Sequence, residues 1–271
     1  MICFPNAKIN LGLRVLRKRE DGYHDIETIM YPIGLSDALE IVPAADGLFG
    51  FSATGIIVEG DAEDNLCVKA FRLMQLKFGL PEVKIHLHKV IPTGAGLGGG
   101  SSDAAFALKL LRRIFSIKNC NDDLRQMAAQ LGSDCSFFIE NIPALAKGRG
   151  EELLKFSISL KGYYLLLVKP ELEVSTPWAY GKIVPSGISM PSYDQIPADI
   201  SQWQSLLCND FEQVVMDEYP QIRQIRNRML EMGAVYSAMS GSGSAVFGLF
   251  SEQPEIQGDD FQNMFVWTQE L

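Results

Sequence analysis

The chain has no apolar run approaching the roughly eighteen residues that a membrane-spanning helix needs. Its first residues, Met1-Ile2-Cys3-Phe4-Pro5-Asn6, carry neither a charged leader region nor a long apolar stretch, so an unexported, cytoplasmic protein with no membrane partner is expected. Positive charge is also scarce. The 24 Lys and Arg are outnumbered by 33 Asp and Glu, leaving a net charge of -9 that excludes a nucleic-acid binder held by phosphate contacts. Any anionic ligand has to be met by backbone amides and a few local cations. Cysteine occurs only as Cys3, Cys67, Cys120, Cys135 and Cys208, an odd set without a C-x-x-C pair, which reads as reduced thiols filling a core. No repeat, low-complexity tract or coiled coil is visible. Histidine is rare too, and His86 and His88, sharing one strand face with no cysteine or carboxylate close in sequence, read as solvated rather than metal-bound.

Glycine is present in one concentrated place. In Val90-Ile91-Pro92-Thr93-Gly94-Ala95-Gly96-Leu97-Gly98-Gly99-Gly100-Ser101-Ser102-Asp103 it fills five of the seven positions from Gly94 to Gly100. Without a Cβ the backbone reaches positive φ and its amides can crowd a ligand. Ser101, Ser102 and Asp103 are N-capping types, and apolar residues at 104, 105, 108, 111 and 115 predict a helix behind them. A glycine loop entering a helix N-terminus is a phosphate site, because free N–H groups and the positive dipole end face the anion. A nucleotide P-loop requires a Lys-Ser or Lys-Thr pair after the last glycine, and Ser101-Ser102 stands there instead. The dinucleotide fingerprint requires an acid about twenty residues on. Arg112, Arg113, Phe115 and Ser116 occupy that region.

Around this loop the periodicities predict the other elements. Ala7 to Leu16 alternates, with Ile9, Leu11, Leu13 and Val15 on one face and Lys8, Asn10, Gly12 and Arg14 on the other; the strand alone leaves Lys8 and Asn10 solvated. The Asp21-Gly22 turn delivers Tyr23 and His24 to a strand over 26–31, where an aromatic beside a histidine could stack on a base. Strands are expected over 37–42, 49–58 and 83–91, and a helix from Cys67 to Phe78, capped by Asp64 or Asn65 and stopped by Gly79. A further helix ends at Gly132, before Ser133-Asp134-Cys135, where Asp134 either caps the next helix or is held rigidly at a cleft. Tyr163 to Val168 is continuously apolar and should be a central strand; Val174-Ser175-Thr176-Pro177-Trp178-Ala179-Tyr180 reads as a cap, a Pro in the first helical turn and then a helix. Late strands over 235–239 and 245–250 flank Ser240-Gly241-Ser242-Gly243-Ser244. The boundary of two domains, 1–157 and 158–271, is expected near Lys155 to Lys161, although no Pro/Ser-rich linker marks it.

Three of these stretches match one pattern in order: the Pro-x-Ala-Lys-x-Asn-Leu strand, Pro-x-Gly-x-Gly-Leu-Gly-Gly-Gly-Ser-Ser before a helix, and the late Gly-Ser-Gly turn. The chain resembles the superfamily named for galactokinase, homoserine kinase, mevalonate kinase and phosphomevalonate kinase, the GHMP kinases. Asp21-Gly22-Tyr23-His24, Glu63-Asp64-Asn65-Leu66 and Leu131-Gly132-Ser133-Asp134 resemble its branch acting on a cytidylyl diphosphate of methylerythritol in non-mevalonate isoprenoid synthesis. The resemblance covers Pro5 to about Phe250 and leaves the acidic tail unassigned.

It implies an α+β, two-domain GHMP kinase fold. The N-terminal nucleotide-binding domain would hold a left-handed βαβ unit, like domain 2 of ribosomal protein S5, and the C-terminal substrate-side domain would be ferredoxin-like, with the active site in the cleft between. It also implies ATP and Mg²⁺, small-molecule substrates, and phosphorylation of the tertiary 2-hydroxyl by a monomer or weak homodimer. Residue by residue, Lys8 and Asp134 match the catalytic pair, and Asn65 the adenine pocket. Pro92, Thr93, Gly94, Ala95, Gly96, Leu97, Gly98, Gly99, Gly100, Ser101 and Ser102 match the phosphate cradle, with Ser102 a weak metal candidate. Tyr23 and His24 match the cytosine platform, and Asn10 a contact near the reacting hydroxyl. Val174, Ser175 and Thr176 lie in a substrate-approaching segment, although Glu171-Leu172-Glu173 departs from its glycine-rich lead, and Gly241, Ser242 and Gly243 form a turn over the site. Another acceptor (homoserine, mevalonate), a decarboxylation, or a nucleotide sensor without turnover stay open on the glycine loop alone.

Overall fold

The computed structural model describes residues 1–58, 60–118 and 121–271; Cys120 lies outside the described residues. In chain order the elements are β1 (Ile2–Cys3), β2 (Asn6–Lys18), β3 (His24–Ser36), β4 (Ala38–Pro43), β5 (Gly50–Gly55), α1 (Leu66–Phe78), β6 (Val83–Lys89), α2 (Gly99–Ile114), α3 (Asn121–Leu131) and α4 (Phe137–Glu140). They continue with β7 (Ala144–Lys147), β8 (Glu152–Lys155), β9 (Tyr164–Lys169), α5 (Thr176–Lys182), α6 (Phe211–Glu218), α7 (Pro220–Glu231), β10 (Tyr236–Met239), β11 (Val246–Phe250) and β12 (Phe265–Glu270). Among the described residues no helix is long and apolar enough to cross a membrane.

Two compact units emerge. The first comprises Met1–Lys8, Gly34–Thr93 and Gly98–Ile142; the second comprises Ile9–Ile33, Gly94–Leu97 and Pro143–Leu271. The expected boundary at 157/158 falls inside the second unit, and the glycine loop is divided between the two.

In the first unit the sheet order is β1-β4-β6-β5, with β5 and β6 parallel and joined through α1, a βαβ unit. Asn65 is the residue that caps α1: its Oδ1 accepts the Cys67 amide at 2.9 Å, and Gly79 ends the helix at φ 64°. The α1 stripe of Cys67, Val68, Ala70, Phe71 and Met74 is buried, as are Ala104, Ala105, Ala107 and Leu108 of α2, against which it packs.

The second unit holds two sheets, β2-β3-β7-β8 and β10-β11-β9-β12. Leu165, Leu166, Leu167 and Val168 of β9 are fully buried and β9 is flanked by β11 and β12, the central position its unbroken apolar run predicts. All neighbours in this sheet are antiparallel, and the chain order β9, β10, β11, β12 maps onto the strand order of a ferredoxin-like sheet. The tail that sequence left unassigned supplies β12, pairing Phe265 with Lys169 and Glu270 with Tyr164. Helix α6 is likewise new, presenting Phe211, Val215 and Met216 to a core shared with Ile222, Ile225 and Met229 of α7.

Candidate active site

The first unit gathers the start of α2, Lys8 and Asp134. Gly98, at φ 70°, is the N-cap, and no side chain caps the helix. Ser101, Ser102 and Asp103, expected as caps, lie inside α2 instead, because the left-handed glycine turn starts the helix earlier. The first intrahelical bond runs from Ser102 N to Gly98 O at 2.8 Å, so the amides of Gly99, Gly100 and Ser101 precede it and face the helix end. The Ser102 hydroxyl is fully buried with no hydrogen-bond partner. A cavity of about 320 Å³ adjoins this helix end, lined by Phe51, Asn65, Leu66, Thr93, Gly100 and Asp103 among others.

Lys8 is not solvated. It is 2% exposed, and its Nζ stands 3.4 Å from Asp134 Oδ2. A Cβ added to Gly98 would meet the Phe138 ring at 3.0 Å and Lys8 Cε at 3.3 Å, so the lysine stem runs directly past the N-cap. Alternation on the strand identified the face; packing by Gly98 and Phe138 decided that the face is covered. Asp134, with its side chain 29% exposed, does not cap α4, where Ser136 holds the N-cap position. Its carboxylate is thus left for Lys8 and for whatever enters beside it.

The second unit gathers the middle of the glycine loop, the late turn and the Tyr23-His24 pair. Gly96 has φ 73°, and a Cβ there would lie 2.0 Å from Ser240 O. Ser240 Oγ donates to Gly96 O at 2.8 Å and Ala245 N to Ala95 O at 3.1 Å, so the loop and the Gly241–Gly243 turn pack backbone against backbone. The side chains of Ala95 and Leu97 are buried anchors. Asn209 holds the turn from below, its Nδ2 donating to Met239 O and Gly241 O, each at 2.8 Å. Thr176 Oγ1 and Ser242 Oγ are 3.0 Å apart at the surface.

Other segment residues turn inward: Val174 joins the core and Ser175 Oγ caps α5 through Trp178 N. Asn10 is also buried rather than solvated, at 2% exposure. Its Nδ2 donates to Thr28 Oγ1 at 2.9 Å, its backbone amide donates to Ser240 Oγ at 3.3 Å, and its Oδ1 lies 3.3 Å from the same hydroxyl. Tyr23 is exposed, with the Arg149 guanidinium 5.0 Å from its ring centre. His24 is buried and stacks on Tyr180 at 5.0 Å, which in turn meets Phe211 edge-on at 4.8 Å. Burial, assisted by Lys18, holds the imidazole below its usual pKa, so the ring is neutral at neutral pH. Tyr180 and Arg149 escaped the sequence reading because both sit far along the chain from Tyr23, in segments whose local patterns announce only a helix and a turn.

Comparison with known proteins adds three relatives. The chain matches the family models described as GHMP kinases N terminal domain, over residues 65–144, and GHMP kinases C terminal, over residues 196–261. It is 48% identical to a 4-diphosphocytidyl-2-C-methyl-D-erythritol kinase of Bacteroides fragilis, with 100% of both chains covered. It is 47% identical to the protein of the same name from Parabacteroides distasonis, again over 100% of each. Among solved structures it matches a 4-(cytidine 5'-diphospho)-2C-methyl-D-erythritol kinase with TM-score 0.78 and 34% identity, covering 92% of this chain and 90% of that one.

Proposed function

Because the chain belongs to the GHMP kinase family and, within it, to the 4-diphosphocytidyl-2-C-methyl-D-erythritol kinases, we propose that it transfers the γ-phosphoryl group of ATP to the tertiary 2-hydroxyl of 4-diphosphocytidyl-2-C-methyl-D-erythritol. The observation that carries this reading is the placement of Lys8 and Asp134 as a pair beside the uncapped N-terminus of α2. Phosphoryl transfer passes through a loose transition state, so the protein contributes chiefly position and charge. The amides of Gly99, Gly100 and Ser101 and the helix dipole meet phosphate oxygens. Lys8, desolvated and lacking competition from water, meets the charge on the transferring group. Asp134 accepts the hydroxyl proton and orients a hindered nucleophile, with Lys8 holding the carboxylate in place.

The cavity beside Asn65 takes the adenine end of ATP, and Thr93 and Gly100 lie on its wall toward the phosphates. Ser102, whose buried hydroxyl has no hydrogen-bond partner, is the side chain that would hold a Mg²⁺ ion arriving with ATP, and the ion would supply neutralisation of phosphate charge. Tyr23 offers an exposed ring face to cytosine, and neutral His24, braced by Tyr180, offers a ring nitrogen. Thr176 and Ser242 supply hydroxyls on the acceptor side. Asn10 acts there through the Ser240 turn rather than by reaching out, since its amide is engaged on both sides.

An ADP-release assay with ATP and a panel of the cytidylyl methylerythritol diphosphate, mevalonate and homoserine tests the assignment. Turnover confined to the first acceptor supports it; preferential turnover of either other alcohol removes it.

A further inference from the structure

The two ends of the glycine loop meet at one buried lysine. Lys89 closes β6, just before the loop, and Asp103 lies near the start of α2, just after it. Lys89 Nζ donates to Asp103 Oδ2 at 2.9 Å and to Asp37 Oδ2 at 2.5 Å. The other oxygen of Asp37 accepts the amides of Val90 at 2.6 Å and Ile91 at 2.8 Å, the first residues of the loop. All three charged side chains are 3% exposed or less. A Cβ on Gly99 would stand 2.9 Å from Ile91 Cγ2 and 3.2 Å from Lys89 Nζ, so the helix start sits tightly on this cluster.

Charge balance alone does not account for the arrangement. One carboxylate suffices to pair a buried ammonium, and burying a second ionisable group beside it is costly compared with an apolar core of the same shape. What the second carboxylate adds is geometric. Asp37 grips the incoming backbone, Lys89 bridges, and Asp103 grips the outgoing helix. We propose that Asp37, Lys89 and Asp103 form a clamp across the base of the glycine loop, and that Lys89 and Asp103 are positioning residues for the amides that receive the ATP phosphates. The inference rests on the reading of this loop as the ATP site.

Three proteins test it: the wild type, Asp103→Asn and Asp103→Ala, each checked for folding by thermal melting. Lys89 keeps Asp37 in both variants, so neither leaves an unpaired buried charge. With Mg-ATP as the titrant and no acceptor present, calorimetry should show affinity weakened about two- to fivefold by the amide, a poorer acceptor, and about tenfold by alanine, which has none. The KM of the cytidylyl acceptor should stay within about twofold of the wild type, given the spread of single hydrogen-bond effects. In the free protein, hydrogen exchange at Val90 and Ile91 should quicken in Asp103→Ala, which the loss of a direct ligand contact would not cause. Unchanged ATP affinity in either folded variant overturns the clamp, as does unchanged exchange at Val90 and Ile91 in folded Asp103→Ala, or an acceptor KM that rises in step with the ATP constant. If Asp103→Ala fails to fold, the near-isosteric Asp103→Asn decides alone. A wild-type protein that binds no Mg-ATP overturns the functional reading itself, and the clamp with it.

Discussion

Two glycines of the phosphate loop should respond oppositely to the same methyl group. At Gly96 the backbone holds φ 73°, where an L-residue costs about 1–2 kcal/mol. The new Cβ would also fall 2.0 Å from Ser240 O and 2.8 Å from its carbonyl carbon, both backbone atoms that yield only if the turn moves. Overpacking of that kind costs about 1–3 kcal/mol. Gly96→Ala should therefore lose about 2–5 kcal/mol from a total stability of roughly 5–15 kcal/mol. At Gly100 φ is not positive, and the nearest atom to an added Cβ is Leu66 Cδ1 at an ordinary 3.7 Å. Alanine in a helix gains about 0.5–1 kcal/mol over glycine, so Gly100→Ala should be as stable as the wild type or slightly more so. Its methyl nevertheless stands on the wall of the ATP cavity, and about tenfold weaker nucleotide binding, equivalent to about 1.4 kcal/mol, is expected. Urea unfolding measured alongside ATP titration separates the two effects. If Gly96→Ala unfolds within about 0.5 kcal/mol of the wild type, or if Gly100→Ala is the more destabilised of the pair, the reasoning from backbone geometry fails.

Lys8→Ala and Asp134→Ala should each lose about 10²-fold or more of kcat while ATP affinity stays within several-fold; near-normal turnover in either would remove that residue from the mechanism. Tyr23→Ala should raise the KM of the cytidylyl substrate between a few-fold and roughly a hundredfold, the range set by about 1–3 kcal/mol of base stacking, and an unchanged KM would exclude Tyr23 from base recognition. For His24 the folded pKa lies below the unfolded one, so the unfolded chain binds the proton more readily. Stability contributed by neutral His24 is present above its unfolded value of 6.5 and declines as pH falls from there toward the folded value. His24→Gln should flatten that part of the stability profile, as read by thermal melting across the acid range; a profile identical to the wild type's would contradict the assignment. Asn209→Ala leaves two buried carbonyls without their donor and should destabilise the protein by about 2–4 kcal/mol in chemical unfolding, with no loss at all speaking against its role under the turn.

Much of this protein was decided locally and is therefore visible in its sequence. The stripe from Cys67 to Met74, a cap at Asp64 or Asn65 and the Gly79 stop specify α1 through a 3.6-residue period and the chemistry of helix ends, and the structure selects Asn65 as the cap. The unbroken apolar run of β9 specifies a strand covered on both faces, and the glycines before α2 specify a helix end open to an anion. The resemblance carried by the early Ala-Lys-x-Asn strand, the glycine loop, the late Gly-Ser-Gly turn and Asp21-Gly22-Tyr23-His24 extended to the family and the reaction. Tertiary structure alone decided what depends on partners distant in sequence. Whether Lys8 and Asn10 face water was settled by Gly98 and Phe138 in one case and by Thr28 and Ser240 in the other. That the tail forms an edge strand depends on the open side of β9, and that His24 rests on Tyr180 depends on α5. Lys89 and Asp103 read in sequence as an ordinary strand end and helix start. Only their meeting with Asp37 brings the two ends of the loop together, because side-chain periodicity records which face a residue occupies and carries no information about what covers it.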